Sequence, residues 1–99
     1  MTSKHWVTDR KHRNEVIKKI GEGKEVKRVV LDKGHKNGAE IHVISSTGII
    51  TIYNQRTKKL ITKLIARPGQ IKRYWEGKEA PAELLQIARK HQKMNYNHA

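Results

Sequence analysis

The stretch Val29–Arg73 most constrains the fold, because it contains short runs of alternating or β-branched residues separated by turn-forming residues. Alternation with a period of two is typical of strands in a half-buried sheet. Glycine and asparagine in the breaks tolerate positive φ, and Pro68 ends the last run because proline cannot donate to a ladder. The pattern predicts a four-stranded antiparallel β-meander with strands at Val26–Asp32, Ala39–Ser45, Ile49–Asn54 and Leu60–Ala66.

The turn between the second and third predicted strands decides which side chains share a face. If Thr47-Gly48 is a two-residue hairpin turn, His42 lies opposite Tyr53 and Ile44 lies opposite Thr51. The predicted core face then carries Ile41, Val43, Ile50 and Ile52. The predicted open face carries Glu40, His42, Thr51 and Tyr53, and Lys63 joins it from the fourth strand. The inward set of that strand stays open between Leu60 with Leu64 and Ile61 with Ile65.

Helical segments flank the predicted sheet. Thr8 can cap a helix from Asp9 to about Ile20, and Asp9 suits the positive end of that helix. Pro81 is well placed as the first residue of a second helix that ends near Lys93. The chain shows no internal repeat or linker, so residues 1–99 are predicted to form a single basic α+β domain. Its predicted order is an N-terminal helix, the four-stranded antiparallel β-meander and a C-terminal helix.

The chain is strongly basic, with 22 Lys and Arg residues against 9 Asp and Glu residues and a formal charge of +13. A field of this size attracts anions and opposes self-association, although the oligomeric state stays open. Nucleic acid is the first expected partner, with RNA favoured over DNA, and an acidic protein is the alternative. No apolar run approaches the roughly 20 residues that span a bilayer, and no signal-peptide segment is evident. The expected location is therefore the cytoplasm, without a membrane partner.

Cations expected to meet nucleic acid occur in every part of the chain. The run Lys72–Trp75 places two cations beside two aromatic residues, which suits the stacking of a base and the binding of its phosphate. The alternative is that Ile71, Tyr74 and Trp75 pack the C-terminal segment onto the sheet. The predicted nucleic-acid-binding residues are Arg10, Lys11, Arg13, His35, Lys36, Arg56, Arg67, Lys72, Arg73 and Tyr74.

The six histidines do not have metal-site spacing. His35 and His42 are separated by a loop and part of a strand, and no HEXXH motif occurs. The chain also lacks a phosphate-binding loop, a dinucleotide fingerprint and a nucleophile elbow. The sequence therefore predicts neither a metal site nor a cofactor.

A metal-free ribonuclease is the catalytic alternative to simple binding. Cleavage of RNA through its own 2′-hydroxyl requires a base, an acid and cations that stabilise the charge developing on the phosphate. His42 is the predicted base, because histidine titrates near neutral pH. The remaining candidates for this chemistry are Glu40, Tyr53 and Lys63. The structural alternative is a cross-strand pair between His42 and Tyr53 that only stabilises the sheet.

An N-terminal helix followed by a meander with histidine and cations on its open face resembles the barnase–EndoU–colicin–RelE group of small ribonucleases. The similarity covers roughly Val26–Arg73 and is one of architecture and residue type. It implies a cationic sheet surface that binds and cuts RNA without metal, and it assigns no role to any single residue. The phrase GIITIYNQRTKKLITKLIARPGQIKRYW also resembles small proteins of phages and mobile elements in Gram-positive bacteria. That setting adds a third hypothesis, a phage-type binder of an acidic host protein.

Overall fold

Four consecutive strands form one antiparallel sheet in the order β1-β2-β3-β4 in the computed structural model, which describes residues 10–32 and 38–93, with side chains from residue 13 onward. The strands are β1 (Glu25–Leu31), β2 (Glu40–Ser45), β3 (Ile49–Asn54) and β4 (Leu60–Ile65). The helices are α1 (Arg10–Ile20), which precedes the sheet, and α2 (Pro68–Tyr74) and α3 (Ala82–Lys93), which follow it. The predicted α+β class and the antiparallel meander are confirmed.

Helix α2 is an element that the sequence pattern does not predict. It has only 7 residues and contains Gly69, so it is too short and too poor in helix formers to show a helical period. Pro68 begins it, because the fixed φ of proline suits the first helical position. Arg67 before it is extended, with φ −98° and ψ 156°, and its N–H donates to the Gln70 side-chain oxygen at 3.0 Å. Among the described residues, two helices therefore follow the sheet rather than one.

The remaining element bounds lie close to the predicted ones. Strand β3 is as predicted, and the other strands begin or end one residue away. Helix α3 begins at Ala82, directly after Pro81. Thr8 and Asp9, the predicted start of the first helix, lie outside the described residues.

The turn between β2 and β3 has three residues, Ser46 to Gly48, rather than the predicted two. The Gly48 N–H donates to the Ser45 carbonyl oxygen at 3.1 Å. Gly48 has a φ of +83°, the left-handed conformation that completes a three-residue hairpin loop. The extra turn residue shifts the pairing of the two strands by one position.

This shift makes the predicted register wrong. Ile44 lies opposite Ile50 and His42 lies opposite Ile52, whereas Tyr53 lies opposite Ile41. A shift of one residue changes which residues of neighbouring strands share a face. We call the two surfaces of the sheet the α2/α3 face and the α1 face, after the helices that cover them. The α2/α3 face carries Glu40, His42, Ile44, Ile50 and Ile52, and the α1 face carries Ile41, Val43, Thr51 and Tyr53.

Helices cover both faces of the sheet, so its cationic residues do not lie together on one open surface. On the α2/α3 face, a core cluster of buried residues consists of Ile44, Ile50, Ile52, Ala66, Ile71, Ala80, Leu84 and Ala88. On the α1 face, Val16 and Ile17 pack with Ile49 and Ile65. Leu64 packs against the first cluster, so neighbouring residues of β4 serve opposite faces. Each set that the sequence left open for this strand is therefore only half used, because Leu64 and Ile65 pack inward on opposite faces whereas Leu60 and Ile61 are exposed.

Helix α3 is fixed to the sheet at the β2–β3 turn. The Nε2 atom of buried His91 lies 2.9 Å from the Thr47 carbonyl oxygen, so this nitrogen donates the hydrogen bond. A Cβ at Gly48 would come within 3.4 Å of both His91 and Ile87.

Within the described ranges, no helix is long and apolar enough to cross a membrane.

The observed register predicts which isoleucines stabilise the fold. Ile44→Ala should lower the free energy of unfolding by about 2–5 kcal/mol, because Ile44 has no exposed surface and its removal leaves a cavity. Ile61→Ala removes the same atoms from a side chain that is 41% exposed and should cost less than about 1 kcal/mol. Urea denaturation of the two variants measures both values. Similar small losses would contradict the register, because Ile44 would then lie on an uncovered face.

Candidate nucleic-acid interface

Three polar side chains form a hydrogen-bonded chain on the α2/α3 face. Strand β2 places Glu40 and His42 two residues apart, so both side chains point to the same face. Helix α2 brings Tyr74 against them. His42 Nδ1 lies 2.6 Å from the Tyr74 hydroxyl oxygen, and His42 Nε2 lies 3.0 Å from Glu40 Oε1. The two rings are tilted by 49°, with centroids 5.6 Å apart.

The chemistry of the partners determines where the protons lie. An ionised Glu40 carboxylate only accepts hydrogen bonds, so His42 Nε2 carries the proton and donates to it. In the neutral imidazole, Nδ1 then accepts the hydrogen bond that the Tyr74 hydroxyl donates. His42 is only 6% exposed and both of its ring nitrogens are engaged. Its effect on a ligand would therefore pass through Tyr74 rather than by direct contact of a free nitrogen.

Tyr74 holds its proton more firmly than an ordinary tyrosine. Burial is the largest cause and raises the pKa of Tyr74, because the phenolate would lose hydration. The positive charge of Arg73 lowers this pKa, whereas the negative charge of Glu40 raises it. The hydroxyl is therefore protonated at neutral pH and serves as a hydrogen-bond donor.

A groove runs along α2 beside the hydrogen-bonded side chains of Glu40, His42 and Tyr74. A cavity of about 360 Å³ is lined by His42, Tyr74, Arg73, Gln70 and Glu76 together with aliphatic side chains of the sheet. A second cavity, of about 400 Å³, shares Leu64, Gln70 and Arg73 with the first and extends to Arg67 and Gln92. Because they share these walls, we treat the two cavities as one feature and call it the α2 groove.

The α2 groove combines cations with an aromatic ring. Arg67 and Arg73 line it and are exposed, and exposed Lys72 adjoins Arg73 on the same helix. Tyr74 is partly buried and lines the wall beside Arg73. Glu76 is a carboxylate on the same wall, so the charged residues that line the groove are two cations and one acid.

The packing alternative for the end of α2 also holds. Ile71 is fully buried, and Tyr74 and Trp75 pack against the core cluster of the α2/α3 face. The Nζ atom of Lys27 on β1 lies 5.2 Å from the centroid of the Trp75 ring, a cation–π contact. Tyr74 therefore both supports the core and lines the groove.

The structure divides the residues predicted for catalysis between the two faces. Glu40 and His42 lie on the α2/α3 face beside the groove, whereas Tyr53 and Lys63 lie on the α1 face. The four residues cannot act together on one bound phosphate. The predicted pair of His42 with Tyr53 is replaced by the contact of His42 with Tyr74.

The predicted nucleic-acid-binding residues are also divided. Arg67, Lys72, Arg73 and Tyr74 lie at or beside the α2 groove, and Arg56 is exposed in the turn between β3 and β4. Arg13 lies beside β4, where its Nη2 donates to Thr62 Oγ1 at 3.1 Å. His35, Lys36 and the side chains of Arg10 and Lys11 lie outside the described part of the chain.

Sequence reasoning missed the partnership of His42 with Tyr74 and the place of Gln70 in the groove wall. His42 and Tyr74 are 32 positions apart, and one of them lies on a helix that the pattern does not reveal. Only half of the signal for Gln70 was present, because Gln at the third helical position belongs to a capping box, whereas the usual Ser or Thr at the N-cap is Arg67 here.

No family model, curated protein or solved structure matches this chain. The resemblance to small ribonucleases and to phage proteins therefore stays a prediction.

The raised pKa of Tyr74 gives a titration that isolates this residue. Tyrosinate absorbance of the native protein should show a component above pH 10 that is missing in Tyr74→Phe, because burial opposes ionisation of this phenol. A raised folded-state pKa also means that its stabilising contribution is complete below about pH 10 and is lost as pH rises through the folded pKa. Tyr53→Phe is the matched control and should keep the component. If the titration curve of Tyr74→Phe coincides with that of the wild type, the claim that burial raises the pKa of Tyr74 is contradicted.

Proposed function

We propose that this protein binds single-stranded nucleic acid, preferably RNA, through the α2 groove. The observation that supports the proposal is the adjacency of Arg73 and the partly buried Tyr74 in one groove that Arg67 also lines. Proteins that bind single strands combine cations that follow the backbone with aromatic side chains on which bases stack. The position of Tyr74 against His42 holds its ring in place before a ligand arrives.

The overall charge supports the same proposal. Even if each of the 9 acidic residues paired with a different cation, 22 − 9 = 13 cations would remain without an acidic partner. This excess attracts a polyanion from a distance, and the release of counterions from the strand favours binding. The groove supplies the local contacts that a diffuse charge lacks.

Removal of the two α2 cations should weaken binding at this surface. For the double variant Lys72→Ala with Arg73→Ala, we expect the slope of log affinity against log salt to fall in magnitude by about 1.4, since each lost phosphate contact on a single strand contributes about 0.7. Fluorescence anisotropy with a labelled oligouridylate at several salt concentrations measures this slope.

Helix α3 provides the matched control. Arg89→Ala with Lys90→Ala removes the same charge from exposed positions of α3 that do not line the groove. The slope should change less in this variant. Equal changes in the two double variants would mean that only net charge matters and would contradict the assignment of the α2 groove.

A second candidate function is metal-free RNA cleavage. It is favoured by the hydrogen bonds that join the side chains of Glu40, His42 and Tyr74. In this mechanism, the Tyr74 oxygen accepts the proton of the RNA 2′-hydroxyl while its own proton passes to His42 Nδ1, and Glu40 stabilises the resulting imidazolium. The 2′-oxygen attacks phosphorus, and Arg73 stabilises the added negative charge. The bond to the 5′-oxygen breaks, and the proton returns through Tyr74 to that leaving group. The products are a 2′,3′-cyclic phosphate and a 5′-hydroxyl end.

Incubation of labelled RNA with the protein in EDTA tests this mechanism. Tyr74→Phe should lower the cleavage rate by about 100-fold or more, because it removes the hydroxyl that relays the proton but keeps the ring. His42→Ala should abolish cleavage as well, with circular dichroism as the check on folding. Tyr53→Phe should cleave at the wild-type rate. Full activity in Tyr74→Phe would exclude the relay, and an inactive wild-type protein would leave binding as the function.

A further inference from the structure

A cavity of about 520 Å³ lies between α1 and the first part of β4. It is separate from the α2 groove. We call it the α1–β4 cavity. Its charged lining residues are three cations and one acid, namely Arg13, Lys18, Lys63 and Glu22. The lining therefore carries an excess of two positive charges, which favours an anionic ligand.

Arg13 is held at the wall of this cavity by its contact with Thr62. Its Nη2 donates to Thr62 Oγ1 at 3.1 Å, and its Nε is buried and lacks a hydrogen-bond partner among the described residues. Among the described residues, Arg13 forms no ion pair with a carboxylate. A partly buried cation in this position is unfavourable in a protein, because it has lost hydration without gaining a paired countercharge. An anion in the cavity would supply that countercharge.

Lys63 and Lys18 complete the cationic wall. Lys63 Nζ donates to Glu22 at 2.6 Å, and the Glu22 side chain is 61% exposed, so a ligand can approach Lys63 in competition with it. Lys18 is exposed on the last turn of α1. A phosphate group would meet a fixed guanidinium and two lysines, the groups that bind phosphate in proteins.

The same cavity also has an apolar wall. Leu60 is 52% exposed and Ile61 is 41% exposed, and both line the cavity beside the cations. Large exposed aliphatic side chains next to cations suit a ligand that has an anionic group and an apolar flat surface. An unstacked nucleotide of a single strand has both.

Strand β4 connects this cavity with the α2 groove. Its first four residues, Leu60 to Lys63, line the α1–β4 cavity, and the next two, Leu64 and Ile65, line the groove. Because β4 is an edge strand, one extended ligand can follow it past both sites. At about 3.3 Å per residue, the midpoints of these two parts of β4 lie roughly 10 Å apart along the strand.

We propose that the α1–β4 cavity is a second nucleotide-binding subsite for the same single strand, with the phosphate at Arg13, Lys18 and Lys63 and a base against Leu60 and Ile61. This inference rests on the proposed function, because it extends the path of the strand from the α2 groove along β4. Occupation of two linked sites by one strand raises its affinity above that of either site alone.

Two pairs of variants test the subsite with a labelled oligouridylate of about 12 nucleotides, a length within the range that single-strand sites cover. Lys18→Ala should weaken binding several-fold and reduce the magnitude of the salt slope by about 0.7. Lys19→Ala is its control, because Lys19 is the neighbouring exposed residue and does not line the cavity. This control variant loses the same charge and should bind with less change. Leu60→Ser should weaken oligouridylate binding but not the binding of polyphosphate, which has no bases. Val30→Ser, at a 50% exposed valine of β1, is its control and should change neither.

The outcomes separate this inference from the function on which it rests. Equal effects of Lys18→Ala and Lys19→Ala, together with equal effects of Leu60→Ser and Val30→Ser, would overturn the subsite. If the α2 double variant still weakens binding in that case, the proposed function stands without it. A wild-type protein that binds no oligouridylate would overturn both.

Discussion

The hydrogen bond from the Gly48 N–H to the Ser45 carbonyl determines much of what this molecule can do, because it closes a three-residue turn between β2 and β3. With this turn, Ile44 and Ile50 face each other and enter the core beneath α2 and α3. A two-residue turn would have moved His42 away from that face. The contact of His42 with Tyr74, and with it the polar wall of the α2 groove, therefore depends on the length of one turn.

The covered sheet explains where binding sites can form. Both faces carry helices, and two cavities of the described residues lie at the seams where a helix meets the edge strand β4. One seam forms the α2 groove and the other forms the α1–β4 cavity, and β4 contributes a wall to each. Cations on these seams come from helices and strands that are far apart in the sequence, such as Arg13 and Arg73.

The hydrogen-bonded side chains of Glu40, His42 and Tyr74 connect the core to the α2 groove. Polar groups on a largely buried face are tolerated when they bond to one another, and here each ring nitrogen of His42 has a partner within 3.0 Å. The same arrangement fixes the Tyr74 ring at the groove wall and raises its pKa by burial. A residue fixed in this way is suited to stack a base in a binding protein and to relay a proton in a ribonuclease. The two candidate functions therefore depend on one local geometry.

Much of the fold was predictable because its signals are local. Alternating residues, turn-forming glycines and the position of Pro81 depend on neighbours in the chain, and they identified four strands and the two longer helices. The formal charge of +13 likewise follows from composition, and a field of this sign attracts anions. The signal of α2 was too weak, since seven residues with a glycine show no helical period.

The candidate site was not predictable to the same degree, because it depends on contacts between distant residues. His42 meets Tyr74 across 32 positions, and Arg13 meets Thr62 across 49 positions. The sequence by itself determined the order of the elements, their approximate bounds and the excess of cations. Only the tertiary structure decided the register of β2 on β3, the burial of His42 and the separation of Tyr53 and Lys63 from Glu40. The physical reason is that hydrophobic periodicity is a property of each strand alone, whereas the face that a strand buries is decided by turn geometry and by the helices that pack against the sheet.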